Sequence, residues 1–243
     1  MLQALTEQMN ELQEKIAISN ADWLMSAREK LGLIGLLFCL NPKKTLELGY
    51  HRGGATKWLA EFSEKVITVD VNEFVSDAPN QFHNVEAWNC PTLEAASRIK
   101  KEKLFFDLAI IDADHSRKAV SADINGIIDH SDIILMHDSF NPDCRKGMMD
   151  ALKNQKSHAY YLDFIPSASK NNGLWGGLAI AWKSQKPGLA KEFAKEISSF
   201  TPVAIQNSFR VAPRINTAKE KISNFKESTL SKIRITAGRI LGK

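Results

Sequence analysis

From Lys43 onward the chain alternates two rhythms, and that alternation is what most limits the folds open to it. Short apolar runs of four to seven residues recur: TLEL (45–48), VITVD (66–70), NVEAW (84–88), FDLAIID (106–112), DIILMH (132–137), AYYLDFI (159–165) and GGLAIAW (176–182). Between the earlier ones lie longer stretches of helical period at 54–63, 91–101, 117–129 and 142–155. Strands that alternate with helices build β-α-β units, whose parallel strands are covered on both sides. The last two runs are joined by the turn-forming segment SASKNNG, too short for a helical crossover, so they are expected to pair antiparallel.

These features predict an α/β fold: a Rossmann-like, seven-stranded, mostly parallel sheet with helices on both faces and a C-terminal antiparallel β-hairpin. A helical extension over 1–40 precedes the sheet domain at 41–185. In the extension Leu2, Leu5, Met9, Leu12 and Ile16 recur at spacings of three and four, and Pro42 stops the pattern. A second helical extension, basic in character, covers 186–243, with Ile222, Phe225, Leu230, Ile233, Ile240 and Leu241 forming an imperfect apolar stripe.

The net charge of +4 is concentrated, because residues 215–243 carry seven Lys/Arg against two Asp/Glu. The rest of the chain is close to neutral, which argues against a nucleic-acid partner. Three widely spaced cysteines, Cys39, Cys90 and Cys144, lack metal-type spacing and read as free thiols in a reducing compartment. The N-terminus has no basic region leading into an apolar core. The longest apolar run, LGLIGLLFCL, has ten residues, where a membrane-spanning helix needs about 20. A cytoplasmic protein without a transmembrane segment is expected, with a homo-oligomer through the terminal helices left open.

Ligands of open α/β sheets bind at the carboxyl ends of the strands, near the point where strand order reverses. The loop after the first run reads ELGYHRGGATKWL, with Glu47, Gly49, Gly53 and Gly54 ahead of a helix. Its spacing is not the dinucleotide pattern G-x-G-x-x-G. The second run ends in Asp70, an acid placed to accept hydrogen bonds from ribose hydroxyls. Singly, each feature is also compatible with ordinary loop glycines and a solvated strand end; together they favour a nucleoside-like cofactor.

ELGYHRGG followed by VITVDVN resembles the first two motifs of class I S-adenosylmethionine-dependent methyltransferases, and the similarity runs in order over about residues 30–183. The resemblance implies S-adenosylmethionine as cofactor, held by Glu47, Gly49, Tyr50, Gly53 and Asp70, with Asp112 also facing it. NVEAWNCPTLEA resembles the loop after strand three, which places Asn89 and Cys90 at the adenine.

Two further runs end in acids: AIIDADHS, with Asp112, Asp114 and His115, and ILMHDSF, with His137 and Asp138. They resemble the metal-dependent O-methyltransferase branch related to cephalosporin hydroxylase and to macrolide and sugar O-methyltransferases. That resemblance implies a divalent metal, Mg²⁺, Mn²⁺ or another ion, on Asp112, His137 and Asp138. It implies His115 as the catalytic base beside Asp112. The set departs from the catechol type, which has Asp-Asn where this chain has His137-Asp138, and the Pro-Gly-Gly turn before strand five is absent. A nitrogen ligand suits Mn²⁺, Fe²⁺ or Zn²⁺ better than Mg²⁺. The alternative is that these residues are hydrogen-bonded strand ends and nothing more.

Asp114 reads as the cap of the following helix. The loop MHDSFNPDCRKG reads as a border of the site able to act as a lid, and Arg145 and Lys146 as solvated charges rather than contacts for an anionic acceptor. WGG (175–177) reads either as pocket lining or as a tight turn. The function these readings imply is O-methylation of a hydroxyl on a small molecule or glycan precursor. A non-catalytic methyltransferase-like interaction module is the alternative. A nicotinamide oxidoreductase is disfavoured by the absence of both G-x-G-x-x-G and a Tyr-x-x-x-Lys pair.

Overall fold

The apolar runs become strands almost residue for residue. In a computed structural model of the chain, which describes residues 23–72, 82–165 and 175–184, helix α1 (Ala27–Leu40) precedes β1 (Lys44–Leu48). There follow α2 (Gly54–Phe62), β2 (Lys65–Asp70), β3 (Val85–Asn89), α3 (Thr92–Glu102) and β4 (Phe106–Ile111). The chain continues through α4 (Arg117–Ile127), β5 (Ser131–His137), α5 (Pro142–Leu152), β6 (His158–Ile165) and β7 (Leu178–Lys183).

Among the described residues the strands form one seven-stranded sheet of order β3-β2-β1-β4-β5-β7-β6. β1 to β5 run parallel, and β7 lies antiparallel to both β5 and β6. The strand order reverses between β1 and β4, so their carboxyl ends open a crevice there.

Alternation along each strand sorts the core into two layers. Leu46, Leu48, Ile67, Val69, Ala109, Ile111, Ile134 and Met136 share one apolar cluster with Ile99 of α3, Ile124 of α4 and Met148 of α5. The intervening residues, among them Val66, Leu108, Ile110 and Leu135, are equally buried but belong to the opposite face. There α1 and α2 supply Leu33, Ile34, Leu37, Trp58 and Leu59. Both faces are thus covered, which is why runs in the middle of the sheet read as almost unbroken apolar sequence.

Helix α1 starts at a capping box: the Ser26 hydroxyl accepts from the Glu29 backbone while the Glu29 carboxylate takes the Ser26 N–H at 2.6 Å. The helix packs so closely on the sheet that a Cβ at Gly32 would stand 2.8 Å from the Ile165 side chain. The expected boundary at residue 40 therefore falls inside a packed unit, with α1 on the sheet side of it. The expected helices over 1–22 and 186–243, and the SASKNNG connection, lie outside the described residues.

Local differences from the expectations have simple causes. The cap of α4 is Ser116, whose hydroxyl accepts from Ala119, while Asp114 closes the turn ahead of it by accepting from the Ser116 N–H at 2.6 Å. The MHDSF segment is no open lid, since Asn141 caps α5 and Pro142 begins it. Arg145 pairs with Asp163 at 2.9 Å. Among the described residues no helix is long and apolar enough to cross a membrane.

Gly49 is fixed by close approach. Its φ is +98°, and a Cβ there would stand 2.0 Å from the backbone carbonyl oxygen of Asp112. Gly49→Ala is expected to destabilise the fold by about 3 kcal/mol or more, combining left-handed strain with a backbone clash. Urea unfolding measures it, and a loss near zero would mean that the β1 and β4 ends separate without cost.

Candidate functional site

Register places the site. Leu48 pairs with Ile111, and Ile111 with Met136, so the residues that follow these strands leave the sheet side by side. Asp112, His137 and Asp138 converge there, joined from the β4–α4 loop by His115 and from α1 by Glu29. Asp138 adopts a left-handed backbone (φ 55°), a conformation aspartate tolerates better than most residues.

The cluster is a chain of alternating charge. His115 Nε2 lies 2.8 Å from Asp138 Oδ2 and 3.8 Å from Asp112 Oδ1. His137 Nδ1 lies 3.0 Å from the same Asp112 oxygen and 3.5 Å from Asp138 Oδ2. On its far side His137 Nε2 faces Glu29 Oε1 at 3.6 Å. Hydrogen bonds to Asp112 and Asp138 hold the His115 imidazole charged, with its pKa pushed up to about 10. For His137 burial works against the charge, but the Asp112, Glu29 and Asp138 carboxylates outweigh it and raise the pKa well above the usual value. Glu29 is buried too, yet His137, the Ser26 hydrogen bond and the Gly177 N–H bring its pKa down to about 2.

Two of these carboxylates also fasten the turn into β7. Asp138 Oδ1 accepts from the Gly176 N–H, and Glu29 Oε1 from the Gly177 N–H. Ser139 and Phe140 complete the latch by donating to the carbonyls of Gly177 and Gly176 at 3.2 and 3.1 Å. Trp175, at the start of this turn, meets the His115 ring edge-on at 5.4 Å between centroids.

The first-strand residues are more self-contained than the sequence suggests. Glu47 is buried, and its Oε2 accepts from both Thr56 and Thr68 at 2.6 Å. Burial pushes its pKa up to about 7 against the pull of the two hydroxyls. Asp70 Oδ2 accepts from the Tyr50 and His51 N–H groups, each at 3.1 Å, and Oδ1 from the Asn72 backbone and amide. It therefore shapes the glycine loop itself, and ribose hydroxyls would have to replace the exposed Asn72 contacts. Gly53 serves as the N-cap residue of α2.

A cavity of about 1030 Å³ opens over these strand ends, lined by Glu47, Gly49, Tyr50, Asp70, Asp112 and, on the other side, His115, His137 and Asp138. Neither Asn89 nor Cys90 lines it. The Asn89 amide donates instead to the Asp70 and Asn72 carbonyls at 3.1 and 2.7 Å, while Pro91, Thr92 and Leu93 form that part of the wall. Four side chains on the wall, Leu24, Val71, Leu93 and Trp175, are large, apolar and exposed, the mark of a ligand-binding rim.

Among solved structures an O-methyltransferase from Bacillus cereus, in complex with SAH, is similar over 73% of this chain and 91% of its own, at 17% identity and a TM-score of 0.55. TomG, an O-methyltransferase from Streptomyces achromogenes involved in tomaymycin synthesis and solved with SAM, is similar over 67% and 82%, at 16% identity and a TM-score of 0.53. The chain has the class I methyltransferase fold. No protein-family model and no curated protein matches it.

Among the described residues, Asp112, His115 and Asp138 form a set whose ligand atoms all lie within 4.8 Å of one another. His137, the nitrogen of the expected set, stands in the same cluster, its Nδ1 at 3.0 Å from Asp112 and 3.5 Å from Asp138. The other ring nitrogen of His137 faces Glu29, contributed by a helix 108 residues earlier in the chain, at 3.6 Å. Glu29 escaped the sequence reading. The signal for it is the Ser-x-x-Glu box at 26–29, which marks a helix start but not a partner across the sheet.

The Glu47 carboxyl gives a pH test. Because its folded-state pKa of about 7 lies above the ordinary 4.5, the fold binds the proton more tightly than the unfolded chain does. Stability relative to Glu47→Gln is full below pH 4.5 and falls as pH rises through 7, by roughly 3 kcal/mol in total. Urea unfolding of both proteins across this range measures the difference; a rise with pH would show Glu47 to be ionised throughout.

Proposed function

We propose that the chain is an S-adenosylmethionine-dependent methyltransferase that methylates a hydroxyl on a small molecule or glycan precursor. The observation that carries this reading is the placement of Asp70, Gly49 and the Asp112–His115–Asp138 cluster around one cavity at the strand-order reversal of a methyltransferase fold. The cavity exceeds the usual ligand-pocket range of about 300–1,000 Å³, so a nucleoside and an acceptor fit together.

S-adenosylmethionine, when bound, supplies an electrophilic sulfonium methyl. The chain's own residues do the rest. Asp70 and the Tyr50–His51 backbone fix the loop on which the nucleoside rests, and buried Glu47, with its pKa at about 7, gives up its proton more readily when a cationic ligand arrives. Acidic side chains outnumber Lys and Arg along the wall, which favours a cationic donor and a neutral acceptor over a phosphorylated one. Trp175 offers an apolar plane to the acceptor beside His115. His115 is the exposed member of the cluster and the candidate base. Asp138 and Asp112 hold it protonated, so it must first release that proton to solvent, which a second positive charge such as a sulfonium favours, before it can take the proton of the acceptor hydroxyl.

The donor set Asp112, His115 and Asp138 fits a divalent ion that accepts nitrogen, such as Mn²⁺, better than Mg²⁺. An ion there would polarise the hydroxyl. In that case His115 is a ligand and not the base. Equilibrium dialysis with Mn²⁺ separates the two roles: His115→Ala should lose at least about tenfold in affinity if the ring is a ligand.

The enzymatic reading is tested by calorimetry with S-adenosylhomocysteine and by transfer of labelled methyl to a panel of phenols, sugars and polyols. Wild type should bind micromolar product and label at least one hydroxylated acceptor. His115→Ala should keep product affinity within about twofold while transfer falls by about 10²-fold or more. Failure of the wild-type protein to bind S-adenosylhomocysteine would remove the proposal.

A further inference from the structure

Helix α1 is apolar on the side that faces away from the sheet as well as on the side that packs against it. Leu33, Ile34, Leu36 and Leu37 are buried, yet Leu31 and Phe38, on the opposite side, are 57% and 66% exposed. From Leu31 to Leu40 the helix has no charged residue and no polar side chain apart from the Cys39 thiol. A surface helix turns a polar face outward, and one that is apolar all round is a covered helix. The outer stripe consists of Arg28, Leu31, Gly35 and Phe38, spaced by three, four and three, with Leu24 77% exposed ahead of the helix.

The segment that leads into α1 carries the matching pattern. Leu2, Leu5, Met9 and Leu12 are spaced by three, four and three, and Glu7, Glu11 and Glu14 fall on the other side of that helical period. Counted in opposite directions the two stripes superpose: Leu2 on Phe38, Leu5 on Gly35, Met9 on Leu31, and Leu12 on the aliphatic stem of Arg28. Ile16 then meets Leu24, and 17–23 remain for the turn, within the usual two to eight residues between packed helices. At about 1.5 Å per residue a helix over 2–16 matches the 14 residues of α1 in length. A second copy fits the face less well. Stable association needs about 800 Å² from each partner, more than three large exposed side chains supply. A tethered segment acts at an effective concentration of order millimolar and needs less. We infer that residues 2–16 fold back antiparallel on the outer face of α1, forming a clasp over the helix that carries Glu29 into the charged cluster.

A short bismaleimide cross-linker on the full chain tests it, with the exposed thiol of Cys39 at the end of α1 as one anchor. Leu2→Cys places its new thiol beside Cys39, and Lys15→Cys places one at the far end of the helix. The first variant should cross-link to Cys39 at least about tenfold more than the second. Mixing ¹⁵N-labelled with unlabelled chains shows which chain supplies the segment, because a link within one chain carries a single label. In hydrogen exchange the amides of residues 5–16 should be protected in wild type and lose at least about tenfold of that protection in Leu31→Asp, while those of β1, β4 and β5 keep theirs. Equal cross-linking of the two cysteine variants, links chiefly between labelled and unlabelled chains, or amides that exchange as fast in wild type as in Leu31→Asp would each overturn the inference. Should Leu31→Asp not fold, the cross-linking alone decides.

Discussion

Carboxylates that repel one another across a strand gap are the constraint from which the rest of the site follows. Asp112 and Asp138 leave adjacent parallel strands at one level, and Glu29 arrives beside them from a different helix. Unpaired, such a group of buried anions would force at least one of them to take up a proton. Instead two imidazoles are threaded between them, so that each histidine touches at least two carboxylates and each carboxylate at least one histidine. The cluster is close to charge balance before any ligand arrives, which lets it persist in a partly buried cleft.

The same anions double as structural fasteners. Asp138 gives one oxygen to His115 and the other to Gly176, and Glu29 divides itself among Ser26, His137 and Gly177. The charged cluster and the turn into β7 therefore share atoms. Trp175 directly precedes this latch, and its ring meets the His115 ring edge-on.

Much of the fold was legible because parallel strands covered on both faces must be apolar along their length. DIILMH and FDLAIID read as strands for that reason, and the short SASKNNG link settled the antiparallel pair. The ends of those strands were legible as a place where chemistry accumulates, since Asp112, His137 and Asp138 sit where the apolar pattern breaks. The carboxylate on the far side of His137 was not legible, because Glu29 lies on a helix that reads only as an apolar segment. Asn89 looked like a cofactor contact from its position after β3, but its amide is taken by two carbonyls that a sequence does not display.

The placement of β7 between β5 and β6 bears on how the molecule is made. A chain that emerges N-terminus first can complete the five parallel strands and dock α1 while residues 178–183 are still unsynthesised. Until then one rim of β5 has no neighbour, and Asp138 and Glu29 wait for amides that belong to the last strand's approach. The cleft over the strand ends is thus the last part of the described sheet to mature, and a nascent or truncated product ending short of Leu178 would expose an unmated β-edge beside carboxylates that still lack their backbone donors.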